Sequence, residues 1–275
     1  MLRSSNPILS KQDAFTPAAP QQGQYGQAPY AQDPYGQNPY QQGYGQAPVD
    51  VEPRMTFDDV ITKTAVVMGL LVISAAVSWA LIPDALYMPA LILSALVGFG
   101  TVLLVSFRRN VSPPLVFAYA IIEGVFIGMF SKMFESYYPG IVVQAVLATF
   151  VAAGVTLAAY KIFNIRVTPK FQKVVWISTV AFAAVMLINF VFVLITGNAG
   201  LRGGIVGPVS LLSVGISLVA VVLAVLNLIL DFDYIEKGVA MGAPAKESWR
   251  AAFGLTVTMV WLYIEMLRLL SYLRR

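Results

Sequence analysis

The stretch VVWISTVAFAAVMLINFVFVLI, Val174 to Ile195, contains no Asp, Glu, Lys or Arg. A helix rises about 1.5 Å per residue, so a run of this length spans the roughly 30 Å of a bilayer's hydrocarbon core. Working outward, the same reading repeats at Lys63 to Ile82, Tyr87 to Phe107, Pro114 to Phe134, Ile141 to Phe163, Pro208 to Leu230 and Ala251 to Leu273. Turn-forming residues punctuate the runs: Pro83-Asp84, Pro113-Pro114, Pro139-Gly140, Thr168-Pro169 and Gly203-Gly204 fall between them. The expected fold is therefore all-α, a polytopic membrane protein with a seven-transmembrane-helix bundle over residues 54–275 and the lipid bilayer as its main partner. Within the spans, Gly98 and Gly100, Gly124 and Gly128, and Ala152, Ala153 and Gly154 are small enough to let helix backbones approach closely.

Composition supports the bilayer as solvent. The chain is 58% hydrophobic and 12% charged, against about 45–50% and about 25% in ordinary soluble domains. Its net charge of +4 is small and most of its charged residues fall between the apolar runs, which suits an anionic membrane face and argues against a nucleic-acid partner. Cys and His are both absent, removing most zinc, haem and triad chemistry. No GxSxG, HExxH or phosphate-binding glycine loop is found either, so the expectation is a non-enzyme without a cofactor or bound metal.

Residues 1–53 differ from the rest. Near-repeats such as QYGQAPY and QDPYGQNPY space Tyr25, Tyr30, Tyr35, Tyr40 and Tyr44 among Gly, Pro and Gln with few aliphatic residues, the composition of a disordered tail. Loop Lys and Arg set the orientation. With the N-terminus in the cytoplasm, Arg54, Lys63, Arg108, Arg109, Lys161, Arg166, Lys170, Lys173, Lys237, Lys246 and Arg250 lie inside. Lys132, Arg202, Arg274 and Arg275 fall outside, with Arg268 near that end.

Charges within the spans are the candidate functional residues, because each costs about 2.5–3.5 kcal/mol near a bilayer centre on insertion scales. Glu123 lies in AYAIIEGVFIGM without an obvious local partner. Asp231 and Asp233 end the sixth run in LILDFDYIEKG, two apart and so facing different directions, with a wet interfacial position as the plain alternative. Glu265 lies in VWLYIEMLRLL, three residues before Arg268, and the two could simply neutralise one another. Arg108 and Arg109 read as positive-inside anchors or, alternatively, as counter-ions to a buried carboxylate.

The stretch LDFDYIEKGVAMGAPAKESWRAAFGLTVTMVWLYIEMLRLLSYL, together with MTFDDVITKT and EGVFIG, resembles the Bax inhibitor-1/YccA family, especially its actinobacterial branch. The likeness is read over about residues 55–275, with the tail outside it. It implies six helices around a central polar seventh and a pH-sensitive calcium leak in the plasma membrane, with Ca2+ as the transported ion. In that picture two acidic residues on the last two helices share a proton and a basic residue latches the closed pore. By motif, the acidic residues are Asp231 and Glu265, with Glu123 matching the third helix's acidic position. Arg108, Arg109 and Arg268 are the candidate latches. The interval from Asp231 to Glu265 is long for the family, and the MGAPAKESW loop is expected to absorb it; if a helix absorbs it instead, the carboxylates sit at different depths, leaving Asp233 or Glu236 as candidates. Two carboxylates close together in low dielectric cannot comfortably both ionise and so titrate as a unit, and once ionised they attract a hard divalent cation. The alternative function is a non-transporting adaptor in membrane-protein quality control, whose candidate partner, a membrane-bound AAA protease, is again implied only by resemblance.

Overall fold

The computed structural model describes residues 53–108, 111–198, 200–205 and 208–275. The tail expected over 1–53 falls, except for Pro53, outside the described residues. Seven helices follow in order: α1 Phe57–Leu81, α2 Tyr87–Phe107, α3 Pro113–Tyr137, α4 Ile141–Ile162, α5 Pro169–Thr196, α6 Leu211–Ala240 and α7 Glu247–Leu273. All seven are long and apolar enough to cross a membrane. Short 3-10 turns occupy Asp84–Leu86 and Gly200–Arg202. Among the described residues the only β-type pairing is an isolated bridge between Arg54 and Pro244.

Several helices extend past their apolar runs, and capping chemistry explains where they begin. Thr56 accepts a hydrogen bond from the Asp59 N–H and starts α1 six residues before Lys63, while Asp58 and Asp59 complement the helix dipole. Lys63 then pairs with Asp59 at 2.7 Å. Thr168 accepts from the Phe171 N–H, and Pro169 takes the first position of α5, where its missing N–H costs nothing. Gly197, at φ +67°, closes that helix in the left-handed region.

The helices alternate in direction, giving the bundle two ends. One end, the N-terminal face, carries Arg54, Arg108 and the α6–α7 turn. There the Met55 N–H donates to Ala243 O at 2.7 Å and the Ala245 N–H donates to Pro53 O at 2.8 Å. Met55 is buried beside Val60, Ile235 and Ala251. The opposite end carries the α3–α4 turn and the chain's C-terminus, where Arg274 donates to Pro139 O and Arg275 to the Tyr138 hydroxyl.

The α1–α3 contact is the most intimate. A Cβ on Gly124 would lie 2.6 Å from Leu71 O, and one on Gly128 would run into Ala75 O, so these two glycines let the backbones touch. Helix α7 packs along α1, α3, α4 and α6, while α2 leans on α3 and α5 on α6. Phe182 of α5 also reaches Trp261 of α7, with ring centroids 5.9 Å apart. The buried residues of α7 include Thr256, Thr258, Glu265 and Ser271, which bring polar groups into the interior of the bundle.

Candidate functional site

The α6–α7 hairpin positions two carboxylates against polar partners. Asp231 projects from α6 toward α7, where the Thr258 hydroxyl donates to its Oδ2 at 2.7 Å. A Cβ on Gly254 would lie 3.3 Å from its Oδ1, so the glycine leaves room beside that oxygen. The carboxyl group lines a cavity of about 430 Å³ near the N-terminal face, walled by Ser106, Trp176, Tyr234, Arg250 and Phe253 among others. At its rim Arg250 Nε and the Tyr234 hydroxyl both donate to Glu247 Oε2, at 2.9 and 3.0 Å, and Arg250 Nη2 donates to Arg108 O at 3.5 Å.

Glu265 lies elsewhere. It is 2% exposed, and Arg202 Nη1 donates to both its carboxylate oxygens, at 2.7 and 3.0 Å. Arg202 belongs to the 3-10 turn between α5 and α6 and is itself 7% exposed. Its Nε donates to Met186 Sδ at 3.0 Å, its guanidinium lies 5.5 Å from the Phe182 ring centroid, and its carbonyl accepts from the Tyr272 hydroxyl at 2.8 Å. The turn is held in place by Asn189, whose Oδ1 accepts from the Leu201 N–H at 2.7 Å. A loop arginine thus enters the bundle and neutralises an intramembrane glutamate, as a buried charge requires.

Thr258 and Glu265 are seven residues apart on α7, about 10 Å along the axis. Asp231 and Glu265 therefore occupy different levels and do not form one proton-sharing pair. The cause is an asymmetry in the hairpin: nine residues of α6 follow Asp231, up to Ala240, whereas eighteen residues separate Glu265 from Glu247 at the start of α7, so helix, and not the turn over 241–246, takes up the long interval and carries Glu265 farther from the turn. Between the levels, Ala224, Leu228 and Leu262 form a fully buried apolar layer.

The other carboxylates are separate. Asp233 turns to another side of α6 and pairs with Lys237 at 2.6 Å. Glu236 accepts from the Tyr160 hydroxyl at 2.8 Å. Glu123 of α3 faces α2, its Oε2 lying 2.7 Å from where a Gly98 Cβ would stand, and no hydrogen-bond donor reaches it among the described residues.

A family model described as Bax inhibitor 1 like matches residues 6–275. The chain belongs to the Bax inhibitor 1-like family. The match is wider than the likeness read from residues 55–275 and takes in most of the Gln/Tyr-rich tail. Comparison with curated proteins finds no match.

Within this Bax inhibitor 1-like bundle, the candidate basic residues divide as follows. Arg108 reaches the cavity rim through its carbonyl, and Arg109 lies outside the described residues. Arg268 follows Glu265 on α7, but its guanidinium lies 5.4 Å from the Phe130 ring centroid and its buried Nε has no hydrogen-bond partner among the described residues. The base that holds Glu265 is Arg202, read from sequence only as a loop charge on the outer side. Its signal was faint: a single Arg in the glycine-rich segment GNAGLRGG between two apolar runs, while Glu265 already had Arg268 three residues on as a candidate partner. Thr258 carried no comparable signal, since threonine is ordinary in a transmembrane helix.

Proposed function

We propose that the protein is a proton-regulated cation leak channel, with calcium as the transported ion, in the plasma membrane and with its N-terminus cytoplasmic. The observation that carries this reading is the placement of Asp231: a carboxylate inside a membrane bundle, facing a cavity near one end, with Thr258 on one oxygen and open space beside the other. Deprotonated, it gives a hard divalent cation an anionic oxygen ligand at the wall of that cavity. Protonated, it is a neutral hydrogen-bonding group and the attraction is lost. The apolar layer of Ala224, Leu228 and Leu262 then acts as a dry barrier, beyond which Arg202 ties Glu265. Flux requires α6 and α7 to part at that layer. On this reading the chain has no catalytic role, and Asp231, not a two-acid pair, is its proton-sensitive element.

The test is calcium entry into indicator-loaded proteoliposomes across a pH series, for the intact chain and for Asp231→Asn combined with Glu265→Gln. The reading expects flux that rises with pH in the intact chain and a flat profile in the double variant. Flux no greater than in empty liposomes at every pH would overturn it.

A second reading, an adaptor that presents a partner such as a membrane-bound protease to other membrane proteins, is favoured by the pairing of Pro53 and Met55 with the α6–α7 turn. That pairing ties the chain leading from the Tyr/Gln-rich tail to the hairpin that carries Asp231 and Glu265. Removing residues 1–50 separates the two: a channel keeps its flux, whereas an adaptor loses partner capture while the bundle stays folded.

A further inference from the structure

Helices α1 and α4 both pack on α7 but not on one another. The gap between them is a cleft of about 250 Å³ whose floor is formed by Ile127, Gly128 and Ser131 of α3 and by Val260 and Tyr263 of α7. The floor is buried, whereas Val72 on one wall and Phe150 on the other are each 58% exposed. The cleft therefore opens sideways, between two membrane-spanning helices, onto lipid.

We propose that this cleft is a binding site for one acyl chain of a membrane phospholipid. The lining is apolar apart from three hydroxyls and the Trp79 indole; Ser131 and Tyr263 hydrogen bond to each other at 2.7 Å, and Thr149 donates to Ala145 O at 2.7 Å. Away from the Trp79 end a ligand meets almost entirely apolar side chains and gains mainly packing, which suits a hydrocarbon chain. The wall from Met68 to Trp79 runs about 16 Å along α1, so the site is long and narrow. A helix from another protein or a second copy is about 10–12 Å across with its side chains and does not fit a cleft of this volume. Trp79 lines one end, toward the end of α1 where the bilayer interface lies, the level at which a lipid's glycerol region would sit. The site shares no residue with the Asp231 cavity and is independent of the channel reading.

The experiment is native mass spectrometry of the full chain extracted in mild detergent from its expressing membrane. The intact protein should retain one phospholipid. Ala76→Phe, which fills the cleft from its open wall, should abolish retention, as should Val146→Phe on the opposite wall if the first variant fails to fold. Val180→Phe, on the exposed face of α5, should retain the lipid. Equal retention in the folded cleft variants and the intact chain would overturn the proposal, as would retention of nothing, or of free fatty acid alone, by the intact chain.

Discussion

Removing Arg202 while Glu265 stays in place should be among the most damaging single changes in the bundle. The two side chains are 8% and 3% exposed and joined by two contacts of 2.7 and 3.0 Å, so Arg202→Met strands a carboxylate in a dry interior. Breaking a buried pair from one side costs about 3–5 kcal/mol. Here the lower end applies, about 3 kcal/mol, because Arg268 stands one helical turn from Glu265, and its buried Nε, without a hydrogen-bond partner among the described residues, can turn toward the vacated oxygens. The Tyr272 bond to the Arg202 carbonyl survives the substitution and keeps the turn in place. Replacing both partners, Arg202→Met with Glu265→Met, should recover most of the loss, since an apolar pair of similar volume needs no neutralisation. Arg202→Met with Arg268→Met should be worse than the sum of the singles, because the substitute cation is gone. Reversible unfolding in mixed detergent micelles measures all four. A loss below about 1 kcal/mol for Arg202→Met, or no recovery in the Arg202/Glu265 double variant, would refute the claim that this pair is a mutually dependent buried tie.

Other consequences follow from individual contacts. Gly124→Ala places a Cβ 2.6 Å from the Leu71 carbonyl and should cost about 1–3 kcal/mol through overpacking at a backbone that cannot yield. Gly98→Ala meets the end of the Glu123 side chain instead and should cost under about 1 kcal/mol in the same assay, because that chain can move. Met55→Ala should cost about 2–5 kcal/mol and raise hydrogen exchange at the α6–α7 turn, since the side chain is buried there. Thr258→Val, which removes the hydroxyl that donates to Asp231, should cost about 1.5–3 kcal/mol when measured at a pH where flux is maximal.

The seven spans were legible because bilayer thickness imposes a length that any sequence window can register, and α2 was placed to the residue. What extended past hydrocarbon was harder to see. Hydropathy stops at Leu230, but α6 does not: its last turns carry Asp231, Asp233, Glu236 and Lys237 in helical geometry, with Asp233 paired to Lys237 along the helix and Asp231 turned toward Thr258. The two acids were expected at one depth because the turn was expected to absorb the interval; they stand about 10 Å apart because Glu265 lies eighteen residues into α7 while Asp231 lies only nine from the end of α6. The starts of α1 and α5 were readable in principle from Thr56 before Asp58-Asp59 and from Thr168-Pro169, both capping signals that a search for apolar runs passes over. The spacing of Gly124 and Gly128 signalled that α3 admits a close helix neighbour, but not that the neighbour is α1. Arg202 was not, because a basic loop residue ordinarily marks topology; only the fold shows that its turn bends back into the bundle to meet Glu265.

The most direct test of the account compares calcium flux in Asp231→Asn with that in Asp233→Asn, two neighbouring acids that the fold separates. One faces the cavity and Thr258; the other is held by Lys237 on another side of α6. The account predicts that Asp231→Asn alone flattens the pH dependence while Asp233→Asn leaves it as in the intact chain. Unchanged pH dependence in Asp231→Asn, or equal loss in both variants, would contradict it.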